Sequence, residues 1–319
     1  MTSIFKSIIA VAVISTTFIF AQIAQAETRI TYRSAKTASS YYQMGVQIAE
    51  AVKAGSNGSI LVTVEEGQGS VSNVIQVPTR GADYVFTTPP VLVELAKAGK
   101  AMFMGKEDSA YADIRALFPI PSLTMHFVVS QKSGIQSFAD MAGKTILIGK
   151  GSFGATEATK YLTDLGLDGE VTLANVELSN AVSALKNGQI DGFVTAGSFP
   201  APNVVEAAAS MPINIINLGD DIRDAAKSVA SRKAVIIPKN TYAGQTSDIM
   251  TTTLEVVAYT TTKMSNDTAY ELTKSYWEEK AKMGSTNPWW NSVDKSYLSA
   301  IIGPIHPGAE KYYKEVGFL

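Results

Sequence analysis

Short runs of β-branched residues alternate with amphipathic segments along most of the chain. Ile60–Val64 is an uninterrupted run of this kind and predicts a strand. Before it, Met44, Ile48 and Val52 recur every four residues, which predicts a helix that begins at about Ser40. Strands that alternate with helices in this way predict an α/β protein whose sheets are mostly parallel.

A second series of the same kind begins near residue 126. Its predicted strands are 145–148, 171–176 and 190–195, and its predicted helices begin at Gly154 and Asn180. Both series contain a helix, a glycine, an aspartate and an apolar strand in that order, which predicts two lobes of similar construction. The first lobe is expected to comprise residues 27–125 and 236–319, and the second residues 126–235, with two crossings between them.

The first 26 residues follow a different pattern. Lys6 precedes the apolar run Ile8–Phe20, and Ala24 and Ala26 supply the small residues of a cleavage site. This pattern predicts a signal peptide at residues 1–26, cleaved after Ala26, and therefore a periplasmic protein. An uncleaved amino-terminal anchor is the alternative interpretation.

The composition excludes several classes of function. The chain of 319 residues has a formal net charge of −2, so it lacks the basic field that nucleic-acid binding uses, and no nucleic acid is expected as a partner. The absence of cysteine excludes thiol nucleophiles, Cys-ligated zinc and iron–sulfur clusters. His126 and His306 have no metal-ligand spacing, and His126 in an apolar run is typical of a packed residue. We therefore expect no catalytic residue, cofactor or metal site.

Polar loops follow the predicted strands of both series. Ligands of open α/β sheets bind beyond the carboxyl ends of strands, and a helix N-terminus there favours an anion. The sequence therefore predicts a site for a small organic anion, with the charge facing it supplied by Arg33, Lys36 or Lys150. The candidate ligand-binding residues are Lys36, Thr37, Ser39, Ser40, Tyr41, Tyr42, Gln68, Gly69, Ser70, Thr87, Thr88, Lys150, Ser152, Gly154, Thr156, Ser198 and Phe199.

Gly149–Gly154 matches the glycine-rich motif of dinucleotide-binding proteins, between a predicted strand and a predicted helix. Glu177 would be the ribose partner, but it lies further along the chain than the usual ~20 residues. The same exposed amides suit a carboxylate, which is the favoured interpretation. An exported dinucleotide-dependent oxidoreductase, and a sensory binding protein that feeds a receptor, are the alternative hypotheses.

The chain resembles the TAXI family of solute-binding proteins, which serve TRAP-type secondary transporters. The segments that carry the resemblance are 40–45 (SYYQMG), 64–73 (VEEGQGSVSN), 133–138 (SGIQSF), 148–154 (IGKGSFG) and 306–315 (HPGAEKYYKE). The resemblance implies a two-lobed periplasmic-binding-protein fold with the ligand between the lobes, and no enzymatic activity. It also implies a carboxylate-bearing ligand, either a glutamate-like amino acid or a dicarboxylate, and the membrane subunits of a TRAP-type transporter as partner.

The sequence departs from the family pattern in the first loop. That loop is usually glycine-rich, whereas residues 34–39 here read SAKTAS and include Lys36. Fewer glycines limit how closely backbone amides approach a ligand, and Lys36 adds a charge nearby.

Overall fold

The computed structural model describes residues 27–37, 39–149, 152–219 and 232–319. The predicted signal peptide and Lys150 lie outside the described residues. None of the helices that the structure describes is long and apolar enough to cross a membrane.

The described chain contains strands and helices in the alternating order that the sequence predicts. The strands are β1 Thr28–Arg33, β2 Ile60–Glu65, β3 Tyr84–Thr88, β4 Ile114–Ser130, β5 Thr145–Leu147, β6 Thr172–Leu173, β7 Gly192–Gly197, β8 Ile213–Ile215, β9 Lys233–Ile237 and β10 Ile249–Thr261. The helices are α1 Ser40–Gly55, α2 Ser70–Ile75, α3 Pro90–Lys97, α4 Phe153–Asp164, α5 Ala181–Lys186, α6 Pro202–Ser210, α7 Asn266–Glu278, α8 Lys280–Gly284 and α9 Pro307–Glu315.

The sheet has a parallel region at each end and long antiparallel strands between them. The strand order is β2-β1-β3-β10-β4-β7-β5-β6, with β8 beside β4 and β9 beside β10. The pairs that β1 makes with β2 and β3 are parallel, as are those that β5 makes with β6 and β7. The α/β prediction with two similar parts is thus confirmed. We call β1–β3 with α1–α3 the first half, and β5–β7 with α4–α6 the second half.

Two strands of 17 and 13 residues, β4 and β10, join the halves into one sheet. Both predicted lobe boundaries fall within strands, at residue 125 in β4 and at residue 235 in β9, and the lobe division stays a prediction. The β4–β10 ladder is interrupted between Leu254 and Val256, opposite Pro121. Proline has no backbone N–H to donate, so the ladder lacks a hydrogen bond at Pro121 and its register shifts there.

One predicted element is shorter than the sequence suggested. The predicted strand 171–176 is reduced to β6, whose one neighbour among the described strands is β5, and Leu173 is exposed. An edge strand with one short partner has few ladder bonds to extend it.

The helices that matter for the site begin at the carboxyl ends of parallel strands. α1 follows β1, and α4 follows β5. The pairings through β3, β10, β4 and β7 make β1 and β5 run in opposite directions, so their carboxyl ends, and with them the N-termini of both helices, point towards each other near the middle of β4. A large apolar core lies beneath them and includes Tyr32, Phe118 and Tyr276. The rings of Phe118 and Tyr276 stack with their centres 4.1 Å apart. Packing of this core fixes where the two helix N-termini meet.

Candidate functional site

A cleft with two connected chambers lies between the two halves. We call the chamber of about 220 Å³ the outer chamber, and the chamber of about 100 Å³, whose walls include the strand residues Leu123, Val194 and Val256, the inner chamber. The residues that line both are Lys36, Ser39, Gln68, Ser152, Leu178 and Ala196. We call this shared set the junction. It combines the N-terminal residues of α1 and α4, one from each half.

The N-terminus of α1 is fixed by local chemistry. Ser39 is the N-cap, and its side chain accepts a hydrogen bond of 3.1 Å from the Tyr41 amide. The Tyr41 hydroxyl donates to the Pro121 carbonyl oxygen at 3.0 Å, which ties the first turn of α1 to β4. Burial raises the pKa of Tyr41 well above its ordinary value, so the phenol stays a neutral donor.

The N-terminus of α4 is built by Ser152 and two glycines. The Ser152 side chain accepts from the Ala155 amide at 3.0 Å and donates to the Gly149 carbonyl at 2.9 Å. Gly149 has a φ of +72°, a conformation that favours glycine. A Cβ on Gly154 would lie 2.8 Å from the Cβ of Ala196, so glycine lets α4 pack directly on β7. Turn conformation and close packing thus account for both glycines.

Asn73 organises the first half beneath the inner chamber. Its side-chain amide donates to the Thr87 carbonyl at 3.1 Å and to the Arg33 carbonyl at 3.4 Å. The Tyr84 hydroxyl donates to the Asn73 carbonyl at 2.8 Å. Because both donors of the amide face carbonyls, its orientation is determined. Asn73 therefore connects the carboxyl ends of β1 and β3, a role that sequence reasoning missed.

The two candidate cations that the structure describes, Lys36 and Arg33, have different environments. Lys36 lies in the walls of both chambers, with its Nζ 3.7 Å from Glu66 Oε1. Arg33 pairs with Glu65 outside the cleft walls. Arg80 also donates to Glu65, at 2.7 and 2.8 Å, and these bonds hold the pKa of the Glu65 carboxyl below its ordinary value. Among the described wall residues, Lys36 is thus the one cation.

Most of the predicted site residues lie in the walls of the cleft. Those in the walls are Lys36, Thr37, Ser39, Ser40, Tyr41, Gln68, Gly69, Ser70, Thr87, Ser152 and Gly154. Those outside the walls are Tyr42, Thr88, Thr156, Ser198 and Phe199. Phe199, for example, packs against the apolar core of the second half. Lys150 lies outside the described residues.

The walls also contain residues outside the candidate ligand-binding set, although Gly149 and Glu177 were considered in the glycine-rich motif. The polar residues, the glycines and the proline of this group are Ser34, Glu66, Asn73, Gly149, Glu177, Ser179, Thr195, Gly197, Pro202 and Asn203. The apolar ones are Ala35, Leu123, Ile148, Phe153, Leu178, Val194, Ala196, Ala201 and Val256. Pro202 at the first position of α6 was a recognisable helix start. The apolar set had no local signal, because buried strand residues are the usual core of such a sheet.

His126 is a structural residue of the second half. Its Nδ1 lies 3.1 Å from the Thr124 carbonyl, so this nitrogen carries the proton, and its Nε2 accepts from the Tyr242 hydroxyl at 2.8 Å. The Tyr242 oxygen in turn accepts from the Ala201 amide at 2.8 Å. Burial lowers the pKa of His126 to about 4. Within the described ranges, no three acidic, histidine or cysteine side chains come together as metal ligands.

The family model that matches this chain is described as the NMT1-like family and covers residues 33–317. The chain belongs to the NMT1-like family. The match includes every described residue of the cleft walls. The narrower TAXI assignment stays a prediction.

Solved structures that resemble this NMT1-like protein share its fold at low identity. A protein from Bordetella bronchiseptica RB50 is 15% identical with a TM-score of 0.53, over 92% of this chain and 99% of its own. The periplasmic binding protein BugD is 11% identical with a TM-score of 0.52, over 92% and 98%. MatC from Rhodopseudomonas palustris, solved with malate bound, is 10% identical with a TM-score of 0.51, over 91% and 97%. The chain therefore has the periplasmic-binding-protein fold.

Proposed function

We propose that this chain is a periplasmic solute-binding protein that holds a small carboxylate-bearing molecule at the junction. The single observation that carries the proposal is the meeting of two helix N-termini, from opposite halves, in one cleft. Each N-terminus presents backbone amides and a partial positive charge, and each favours an anion by ~0.3–2 kcal/mol. Two such termini with Lys36 form a cradle for one carboxylate.

The free donors at the junction are suited to a carboxylate. The serine side chains of both caps accept bonds from their own helices, which leaves earlier amides of the first turns for a ligand. The fold neighbour MatC binds malate, which supports a carboxylate ligand. A glutamate-like amino acid or a dicarboxylate is the ligand that the TAXI resemblance favours.

Binding is proposed to close the two halves, acting as lobes, on the ligand. Support for close approach comes from Gly197 at the end of β7, where a Cβ would lie 2.6 Å from Ser40 Oγ of α1. A ligand that contacts both helix N-termini is bound fully only when the halves are together, so it favours the closed state.

Thermal unfolding of the purified protein with a panel of carboxylates, amino acids and nucleotides tests the proposal. A carboxylate at ~100 times its Kd should add about 2.7 kcal/mol to the free energy of unfolding. Stabilisation by NAD together with no effect of any carboxylate would contradict it and favour the dinucleotide hypothesis.

Lys36→Ala should weaken binding of a stabilising carboxylate about tenfold, because one charge-assisted contact is lost and Glu66 stays beside the site. Calorimetric titration measures the change. Lys53→Ala, at the exposed end of α1, is the matched control and should bind normally. Equal affinities of the two variants would remove Lys36 from the site.

Delivery to the membrane subunits of a TRAP-type transporter is the proposed next step. Vesicles that contain such subunits should bind the purified protein, and vesicles without them should not. Mass spectrometry of the protein released by osmotic shock tests the location, with a chain that begins at Glu27 as the expected product.

A further inference from the structure

The two chambers differ in the charge of their walls. In the described part of the chain, the outer chamber has Lys36, Glu66 and Glu177 in its walls. Among the described residues, the inner chamber has Lys36 as its one charged wall residue, and Lys36 lies at the junction. A ligand whose carboxylate occupies the junction can extend in either direction. The two directions place its remaining atoms in different chemical environments.

The inner chamber presents a mostly apolar surface. Leu123, Phe153, Val194 and Val256 line it, and each is nearly fully buried within the fold. They come from four different elements, β4, α4, β7 and β10, so the apolar wall is formed by both halves and the strands that join them. An apolar group gains free energy on entering such a space, whereas a charged group loses its hydration without replacement.

The polar residues of the inner chamber do not replace the hydration that a charged group would lose there. Ser34, Ser70, Asn73 and Thr87 are neutral, and Asn73 uses both amide donors on backbone carbonyls. Apart from Lys36, the described walls of this chamber have no charged side chain that could pair with a second carboxylate. A second carboxylate is thus disfavoured in the inner chamber.

The outer chamber is equally unsuited to a second carboxylate. Two of its three charged residues are acidic, and Lys36 already lies beside one of them, Glu66. The body of an anionic ligand is therefore better accommodated inward. Its size is limited by the smaller volume of that chamber, about 100 Å³ against about 220 Å³ for the outer one.

We infer that the ligand is a monocarboxylate whose short, uncharged and largely apolar body fills the inner chamber. This inference rests on the proposed function, since it takes the junction as the carboxylate site. It differs from the glutamate-like or dicarboxylate ligand that the sequence resemblance implies. The chamber contributes specificity for chain length, and the junction contributes affinity for the anion.

A length series of straight-chain acids tests the inference by calorimetric titration of the purified protein. Affinity should rise about fourfold for each methylene from acetate to butyrate, and it should stop rising by hexanoate. Succinate is the matched probe, because it replaces the butyrate methyl group with a second carboxylate. It should bind at least tenfold more weakly than butyrate.

A filling variant tests the location. Ala35 lines the inner chamber, so Ala35→Leu should weaken butyrate binding at least tenfold and leave acetate binding within about twofold. Ala112→Leu, on the exposed surface, is the control and should change neither. The length series on the unaltered protein decides the question independently if Ala35→Leu fails to fold.

The outcomes separate the two proposals. If carboxylates bind but affinity is independent of length, or succinate equals or exceeds butyrate, the inference is overturned while the proposed function stands. If no carboxylate of any length binds, the proposed function is overturned and the inference with it. If butyrate binds more tightly but Ala35→Leu does not distinguish it from acetate, the apolar body lies elsewhere.

Discussion

The two halves of the protein hold their sides of the cleft by different chemistry. In the first half, Tyr41 and Asn73 position the walls through hydrogen bonds to carbonyl oxygens, with no ionised group. In the second half, α4 is held by an ion pair between Glu157 and Arg232, and α6 by the bonds between Ala201, Tyr242 and His126. Neutral bonds are insensitive to pH, whereas a buried imidazole is not. The second half should therefore be the part that weakens first as the pH falls below neutral, whereas the Glu65 pairs of the first half are lost only at lower pH.

Removal of the Arg232 guanidinium should have the largest effect. Its Nε donates to Glu157 Oε2 at 2.8 Å, and the guanidinium lies 4.4 Å from the centre of the Tyr161 ring. Both members of the pair are nearly fully buried. Arg232→Met leaves the buried Glu157 carboxylate with Lys160, 2.8 Å from its Oε1, as the remaining partner. The free energy of unfolding should therefore fall by an amount near the lower end of ~3–5 kcal/mol in urea titration.

The double variant Glu157→Gln with Arg232→Met is the control for that prediction. It removes both charges and should recover a large part of the lost stability. A double variant as unstable as the single one would show that the ring contact and packing of Arg232 matter more than the pair.

Acid should weaken the second half through His126. Its folded-state pKa of about 4 is below the ordinary 6.5, so the unfolded chain binds the proton first as the pH falls. The stabilisation is complete above pH 6.5 and is lost progressively down to about pH 4. This pKa difference corresponds to a loss of ~3 kcal/mol in the free energy of unfolding. Urea unfolding at a series of pH values measures the loss.

Two variants assign this pH dependence. His126→Gln should flatten the slope between pH 4 and 6.5, while His306→Gln should preserve most of it. Burial also lowers the pKa of His306, so a small residual slope is expected in the first variant. An unchanged slope in His126→Gln would contradict the contrast between the halves.

The smallest effect is expected in the first half, from Tyr41→Phe. The change removes the bond to the Pro121 carbonyl and should lower the free energy of unfolding by ~1 kcal/mol. The loss should be the same at pH 5 and pH 8, because the phenol is neutral at both. Tyr42→Phe, one residue along α1 and outside the cleft walls, is the matched control. A loss that depended on pH would show that the first half is also coupled to an ionised group.

Local chemistry made part of the site predictable. Ser39 and Ser152 follow predicted strands and precede amphipathic stretches, so capping preference and topology located both helix N-termini. The same reasoning selected Tyr42 as well as Tyr41. Successive residues on a helix point about 100° apart, and the sequence alone does not show which of the two faces the cleft. Side-chain direction thus limited the prediction within a correctly placed element.

The apolar walls were beyond sequence reasoning for a different reason. Leu123 and Val256 lie in long strands that join the halves, and nothing in a run of apolar residues tells which ones border a cleft. Their position depends on the twist and register of β4 against β10. The long antiparallel strands themselves were predicted only in part, since parallel pairing explained most of the pattern.

Irregular pairing of β4 with β10 borders the cleft. Pro121, Leu254 and Val256 lie at one of two register shifts in this ladder, and the other lies between Ala258 and Tyr259. Val256 is also a wall of the inner chamber. The surface on which a bound molecule would rest therefore includes a point where the strands that join the halves lack regular hydrogen bonding.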